Sequence, residues 1–396
     1  MFNKQTLRDF ELKGKKVLLR VDFNVPLNSN LQITNDKRIR ETLPTLNYLR
    51  EQGAKIIIVS HLGRPEGTVK PEFSLKPVAE RLRELMKCPV ILTKDVAGSD
   101  TFKYVRNMKE GDIVMMENVR FDPGEESNDP EFAKKLASLA DIYCNDAFGT
   151  MHRAHASTTK VAEYLPSCAG LLVQKELDIL GGALENPKRP FVVIVGGAKV
   201  KDKIGLISRL IEVADVVMIG GAMAYTFLRA QGFNVGKSIV EKDKITLARL
   251  LLEKAKKQDV KIVLPVDHVV TGEFSFSAEF VVTSTKKFPR TGMGMDIGPR
   301  TIKLFKHYIN KAKTIFWNGP LGVAEFQRFA KGTNEIAEAL ANSRAYTIIG
   351  GGDSAKSIEQ LNLQGKINHV STGGGAALKL IEGVPLPGLQ ALSEKL

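Results

Sequence analysis

The sequence predicts an α/β protein of two doubly wound parallel-sheet, Rossmann-like domains joined by a helical hinge. Three observations lead there. At 396 residues the chain is too long for one comfortable core, so two domains of roughly 180–200 residues are expected. Short β-branched runs, apolar along their whole length, alternate with amphipathic stretches of about 10–15 residues, the pattern of parallel strands covered on both faces. Near the middle, a leucine-rich helical stretch ends against two prolines.

In the first half the candidate strands are 16–21 (KVLLRV), 55–60, 89–93, 112–117 (DIVMME) and 141–145. Helices are expected at 36–51, where Ile39, Leu43, Leu46 and Leu49 form a stripe, and at 74–87. The second half offers strands at 190–195 (PFVVIV), 215–220 (DVVMIG), 260–265 (VKIVLP), 313–317, 345–350 and 368–371. The joint lies along 171–188, where Leu172, Leu177, Leu180 and Leu184 are available for burial and Pro187 and Pro190 cannot continue a helix. Gly181-Gly182 reads equally as hinge or packing contact. The division expected is a domain over 1–172, a hinge helix over 173–188 and a domain over 189–383. The tail 384–396 is too short for a domain and is expected to pack back onto other elements.

Composition narrows the class. The net charge of +13 suggests anionic partners, but it is unevenly spread. Residues 1–185 hold 27 Lys and Arg against 26 Asp and Glu, whereas 186–396 hold 30 against 18. Runs such as Lys254, Lys256, Lys257 and Lys261 read as solvated helix faces, so no nucleic-acid partner is inferred. No apolar run approaches the roughly 18 residues of a membrane helix, and the N-terminus lacks the apolar core of a signal peptide. Cys88, Cys144 and Cys168 have no metal-ligand spacing; free thiols in a reducing cytoplasm are expected.

In open α/β sheets ligands bind in the loops beyond the carboxyl ends of the strands. In the first half those loops carry Asp22, Phe23 and Asn24; then His61, Leu62, Gly63 and Arg64; then Asn118 and Arg120; then Asp146 and His152, Arg153 and His155. Arg38 opens the helix after the first loop. Guanidinium groups grip phosphate bidentately, and Asp22 and Asn24 suit a hydroxyl, so a small hydroxylated anion fits. Each arginine alone has a bland alternative, such as Arg120 pairing with Glu117 on the surface.

The second half offers backbone instead of charge. Its strands run into Gly196-Gly197, with Lys199 and Lys203 spaced to share a helix face, into Gly220-Gly221, and into Asn318-Gly319-Pro320 with Glu325 beyond. The last two run into Gly350-Gly351-Gly352-Asp353-Ser354 and Gly373-Gly374-Gly375. Glycine loops that open helices present free N–H groups to phosphates, although tight packing explains any single one. Asp353 is the natural Mg²⁺ ligand, because Mg²⁺ takes few carboxylates and shares nucleotide phosphate oxygens. No GxxxxGK[ST] occurs. Gly350-x-Gly352-x-x-Ala355 loosely matches a dinucleotide fingerprint, but the next strand ends in Val370-Ser371-Thr372 without the acid a ribose needs.

The blocks RVDFNVP (20–26), SHLGRP (60–65), ENVRF (117–121), DAFGTMHRAHAS (146–157), GGAKVKDK (196–203), FWNGPLGVAEF (316–326), GGGDSA (350–355) and STGGGA (371–376) resemble those of the phosphoglycerate kinase family, in the family's order. That resemblance implies two α/β domains, the first binding 3-phosphoglycerate and receiving the C-terminal tail, the second binding nucleotide. The implied reaction is reversible phosphoryl transfer between 1,3-bisphosphoglycerate and MgADP, giving 3-phosphoglycerate and MgATP, in a cytoplasmic monomer. By motif, Asp22, Phe23, Asn24, Arg38, His61, Leu62, Gly63, Arg64, Arg120 and Arg153 would hold 3-phosphoglycerate. Lys203, Gly294, Glu325, Gly351, Gly352, Asp353 and Ser354 would hold ATP or ADP, with Mg²⁺ at Asp353. Arg38 and Lys199, with backbone N–H groups at Gly373 and Gly374, would meet the transferring phosphoryl; His152 and His155 read as structural. Three positions depart from the family pattern: Lys201 replaces a small polar residue, Gly292 a frequent Trp, and Ala222 a frequent third glycine.

Overall fold

A computed structural model describes residues 3–395. It resolves into two compact units, the chain up to Asp178 together with the segment from Pro385 onward, and Ile179–Val384.

In the first unit the order is β1 (Lys16–Arg20), α1 (Lys37–Glu51), β2 (Lys55–Val59), α2 (Lys76–Met86), β3 (Val90–Leu92), α3 (Ser99–Arg106), β4 (Ile113–Met115), α4 (Pro130–Ala137), β5 (Ile142–Asn145) and β6 (Ser167–Ala169). The six strands form one parallel sheet in the order β3-β4-β2-β1-β5-β6. Val17, Leu19, Ile56 and Ile58 are buried with the apolar stripes of α1 and α2, Leu46, Leu49, Val78 and Leu82 among them. Register aligns the strand ends, with Arg20 opposite both Val59 and Asn145, so the following loops rise from one crest.

The helix α5 (Leu171–Glu185) contains the boundary between the units. The second unit continues with β7 (Phe191–Val195), α6 (Ile204–Val213), β8 (Val216–Ile219), α7 (Met223–Ala230), α8 (Ile245–Lys257), β9 (Lys261–Val263), β10 (Asp267–Thr271), β11 (Phe280–Ser284) and β12 (Met293–Ile297). It ends with α9 (Pro299–Lys311), β13 (Thr314–Asn318), α10 (Lys331–Ala341), β14 (Tyr346–Gly350), α11 (Gly352–Gln360), β15 (His369–Val370) and α12 (Gly375–Glu382). A second parallel sheet has the order β15-β14-β13-β7-β8-β9, with Asn318 opposite Val195 and Gly350. The two six-stranded parallel sheets with flanking helices are the doubly wound α/β architecture expected. The tail, including α13 (Pro387–Gln390), packs within the first unit: Gly388 N–H donates to the Met151 carbonyl (2.9 Å) and Ser393 N–H to Ser167 Oγ (3.0 Å).

Two features were not foreseen. β10, β11 and β12 form a small antiparallel sheet in the order β11-β10-β12. Its sequence signal is weak because β12 is interrupted by Gly294 and the first three residues of β11 are exposed, leaving neither a buried run nor an alternation. β6, three residues long, is too short for any periodicity. A third point is a correction: Lys199 and Lys203 do not share a helix face. Gly197 turns the chain at φ +118°, a short 3₁₀ turn spans Lys201–Lys203, and α6 begins only at Ile204. Among the described residues, no helix is long and apolar enough to cross a membrane.

Candidate active site

The crest of the first unit is organised around His61. Its side chain is buried, and Arg20 Nη2 lies 3.2 Å from Nδ1. Burial, then the charges of Arg20, Arg120, Arg38 and Arg153, hold the imidazole well below its ordinary pKa. Since a guanidinium only donates, Nδ1 must accept, which leaves the ring neutral with its proton on Nε2. Arg20 alone touches the ring; Arg120, Arg38 and Arg153 act on it through their charge.

Their placement follows from hydrogen bonds between loops. Arg38 Nη1 donates to Asp22 Oδ1 and to the Asn24 carbonyl, both at 3.0 Å. Gly63 N–H donates to Asn24 Oδ1 (2.9 Å), tying the first loop to the second. Asn118 clamps the second loop to the fourth strand's end: Oδ1 accepts from Leu62 N–H (3.2 Å) and Nδ2 donates to the Leu62 carbonyl (2.7 Å). Arg120 Nη1 donates to the Gly63 carbonyl (2.7 Å), and its Nε lies 3.2 Å from Glu126, so the pairing with Glu117 is not formed. Glu117 instead accepts from Ser74 Oγ and Leu75 N–H, each at 2.7 Å. Burial lowers the Arg120 pKa, a cost that an arriving anion would offset.

Other residues of the expected set stand differently. The Phe23 and Leu62 side chains belong to the core, and their N–H groups already serve Ser60 Oγ and Asn118 Oδ1. Arg64 is exposed and, among the described residues, makes no ion pair. Arg153 Nε lies 3.4 Å from His152 Nε2. His155 is turned toward the buried Glu125 (3.8 Å), and burial, then the charges of Arg120, Arg20 and Arg153, push it down to about 4.

Sequence reasoning missed Arg20 and its support. The Arg20 side chain is fully buried, with Nε donating to Ser157 Oγ (2.8 Å); Ser157 donates in turn to Glu125 Oε1 (2.7 Å). The available signal was an arginine closing an otherwise apolar strand, where a charge requires a buried partner.

In the second unit Asn318, at the end of β13, is the hub. Its Nδ2 donates to the Gly350 carbonyl (2.9 Å), while the Lys203 ammonium donates to its carbonyl oxygen (3.2 Å) and to Oδ1. Burial brings Lys203 down to about 8, against the opposing pull of Asp353 and Asp202. Gly351, at φ +85°, precedes α11; a Cβ there would lie 2.5 Å from Asn318 Nδ2, so only glycine fits. Ser354 Oγ accepts from Gly319 N–H (2.6 Å), fastening α11 to the next loop. Asp353 is exposed in the first turn of α11, beside N–H groups that lack intrahelical partners. Lys199 is exposed without an ion pair among the described residues. Gly374, at φ +48°, caps α12, whereas Gly373 N–H is already held by Ser371 Oγ (3.1 Å).

These loops border a cavity of about 240 Å³ lined by Ala222, Tyr225, Gly294, Leu321, Glu325 and Asp353. Gly294 has no room for a side chain, since a Cβ would sit 1.8 Å from Tyr225 Oη. Of the three departures, Ala222 lines this cavity, Lys201 is exposed, and Gly292 packs where a Cβ would meet Val270 at 2.4 Å.

Comparison with known proteins agrees with this arrangement. The family described as Phosphoglycerate kinase matches residues 7–384. A curated phosphoglycerate kinase from Dictyoglomus turgidum is 55% identical over 390 residues, covering 98% of each chain. One from Clostridium tetani is 51% identical over 397 residues, covering 100% of this chain and 99% of its own. The solved structure of phosphoglycerate kinase from Coxiella burnetii superposes with a TM-score of 0.88 at 41% identity, covering 98% of each chain. That from Pyrococcus horikoshii gives 0.84 at 34% identity, covering 99% of this chain and 98% of its own. With two parallel-sheet units, a basic crest on one, a glycine crest on the other and similarity along the full length, the chain belongs to the phosphoglycerate kinase family.

Proposed function

We infer that the basic crest around His61 holds 3-phosphoglycerate and the Asn318 crest holds the adenine nucleotide, for reversible phosphoryl transfer to and from 1,3-bisphosphoglycerate. The observation that carries this reading is the buried, neutral His61, in contact with Arg20 (3.2 Å) and subject to the charges of Arg20, Arg120, Arg38 and Arg153. Such a cluster is costly unless an anion completes it. His61 offers Nε2–H as a neutral donor, Arg120 and Arg153 grip the phosphate, and Asp22 and Asn24 order the hydroxyl. Arg64, exposed at the edge, adds affinity.

In the ATP-forming direction's reverse, the acceptor is a carboxylate already ionised at pH 7, so no general base is required. What the chain must supply is alignment and cancellation of charge on the transferring oxygens. Arg38 supplies it from the first unit; Lys199 and the N–H group at Gly374 supply it from the second, Gly373 N–H being held by Ser371 Oγ. Lys203 and the first turn of α11 hold the nucleotide phosphates, while Gly294 and Glu325 border the rest of the nucleotide. Asp353 suits Mg²⁺: its carboxylate is exposed, hydrogen-bonded to nothing among the described residues, and beside the N–H groups that would take phosphate. Bound there with the nucleotide, Mg²⁺ neutralises phosphate charge. Because the two sets of groups belong to different units, transfer calls for domain closure, with α5 as the hinge helix. The enzyme acts as a cytoplasmic monomer, without a nucleic-acid partner.

The direct test is a coupled assay for ATP consumption that depends on both 3-phosphoglycerate and Mg²⁺. No turnover at millimolar substrates would overturn the assignment. Saturable NAD binding would instead favour a dehydrogenase.

A further inference from the structure

On the first unit a larger cavity, about 620 Å³, is walled by Val69, Pro71, Pro77, Val96, Phe121 and Pro123. That volume is in the range of small-molecule sites, roughly 300–1,000 Å³. None of the residues placed above at the basic crest lines it, apart from the supporting Glu117 and its donor Ser74. Its charges are sorted unequally. Three carboxylates line it, and each is committed to nearby donors. Asp95 accepts from Thr101 Oγ1 (2.7 Å) and from the N–H groups of Asp100 (2.9 Å), Thr101 (3.0 Å) and Gly98 (3.2 Å) at the start of α3, which together keep its pKa low despite burial. Glu117 accepts from Ser74 and Leu75, and Asp122 from Gly124 N–H (2.8 Å). Three lysines also line it. Lys76 and Lys94 make no ion pair among the described residues, and Lys70 approaches only the exposed Glu66, at 3.6 Å. The lining thus has no net formal charge, but its carboxylate oxygens are engaged by neutral donors of the chain whereas the Lys76 and Lys94 ammonium groups have no counter-ion among the described residues.

We propose that this cavity binds a small amphipathic anion, an apolar body ending in a single carboxylate or sulfonate, with the body against Val69, Val96 and Phe121 and the head between Lys76 and Lys94. Occupancy bears on substrate binding, because the same two segments form both sites. Phe121 and Asp122 line the cavity while Arg120 faces the crest, and Gly67 N–H donates to the Arg120 carbonyl (3.2 Å). Asn118 Nδ2 donates to the Phe73 carbonyl (2.9 Å), two residues beyond the cavity's Pro71. This second part rests on the role inferred for Arg120; binding itself does not.

The probe is 8-anilinonaphthalene-1-sulfonate, titrated by fluorescence into enzyme saturated with 3-phosphoglycerate and MgADP so that the crest sites are filled. One saturable site is expected, at least tenfold weaker in K76E/K94E and in V69E, both surface changes whose folding is checked by melting temperature. The uncharged N-phenyl-1-naphthylamine should bind wild type at least tenfold more weakly than the sulfonate. Displacement by decanoate or by 2-naphthoate supports the site and tells an acyl chain from an aromatic body. Unchanged sulfonate binding in both variants overturns the site. Binding that leaves KM for 3-phosphoglycerate unmoved overturns the link to Arg120 alone.

Discussion

Lys203→Met should weaken catalysis while strengthening the fold at neutral pH, and pH separates this from a trivial packing change. The ammonium titrates near 8 in the fold against an ordinary 10.5, chiefly because it is buried. At pH 7 keeping the buried ammonium charged costs the folded state about 3 kcal/mol. Losing the lysine leaves Asn318 Oδ1 short of a donor, an opposing cost of about 1–3 kcal/mol that does not vary with pH. The sign is set by proton counting: the unfolded chain, with the higher pKa, binds more protons between 8 and 10.5, so wild type gains stability as pH rises through that window. From pH 7 to pH 9.5 the gain is about 2 kcal/mol, equivalent to roughly 4–8 °C in Tm for a unit of this size. Urea unfolding of both proteins at both pH values measures it. Trp317, the sole tryptophan and buried one residue before Asn318, reports on the second unit by fluorescence. A wild-type-minus-variant difference that stays flat across the two pH values would refute the reasoning. The same variant should raise KM for MgATP, which would make Lys203 a residue that costs stability for function.

Three further outcomes are expected. Arg38→Ala and Lys199→Ala should each lower kcat by a hundredfold or more, in keeping with loss of charge stabilisation worth roughly 3–4 kcal/mol, while Arg64→Ala mainly raises KM for 3-phosphoglycerate; steady-state kinetics decide, and near-normal kcat in the first two would remove their assigned roles. Gly294→Ala drives a methyl into Tyr225 Oη, and overpacking of about 1–3 kcal/mol should raise KM for MgATP about tenfold without moving KM for 3-phosphoglycerate. Asp146 accepts from Leu172 and Val173 N–H at the start of α5, and burial pushes it up to about 7. A raised acid binds protons preferentially when folded, so its contribution, about 2–3 kcal/mol, is lost between pH 5 and pH 7.5; Asp146→Asn should flatten that part of the stability profile in urea titrations.

The strands were legible wherever burial on both faces left an unbroken apolar run, as in KVLLR and FVVIV. They were illegible where burial was partial, as in β11 and β12. The loops at the strand ends were legible because charge or repeated glycine beyond an apolar run is unusual enough to notice. Arg20 was overlooked for the opposite reason: inside the strand, its partners Ser157 and Glu125 lie over a hundred residues away, and nothing local announces them. The lysine pair at 199 and 203 misled because helical spacing was assumed where Gly197 breaks the chain.

The sequence alone determined the α/β class, the charged and glycine-rich loops at the strand ends and the family, since each is written in local pattern and residue type. Only the tertiary structure decided that Arg20 meets His61, that Arg120 turns to Gly63 and Glu126 rather than to Glu117, and that Lys203 rests on Asn318 while Lys199 is exposed. Those outcomes depend on strand order and on burial. Charge, protonation and hydrogen-bond choice are settled by neighbours that the fold gathers from distant parts of the chain.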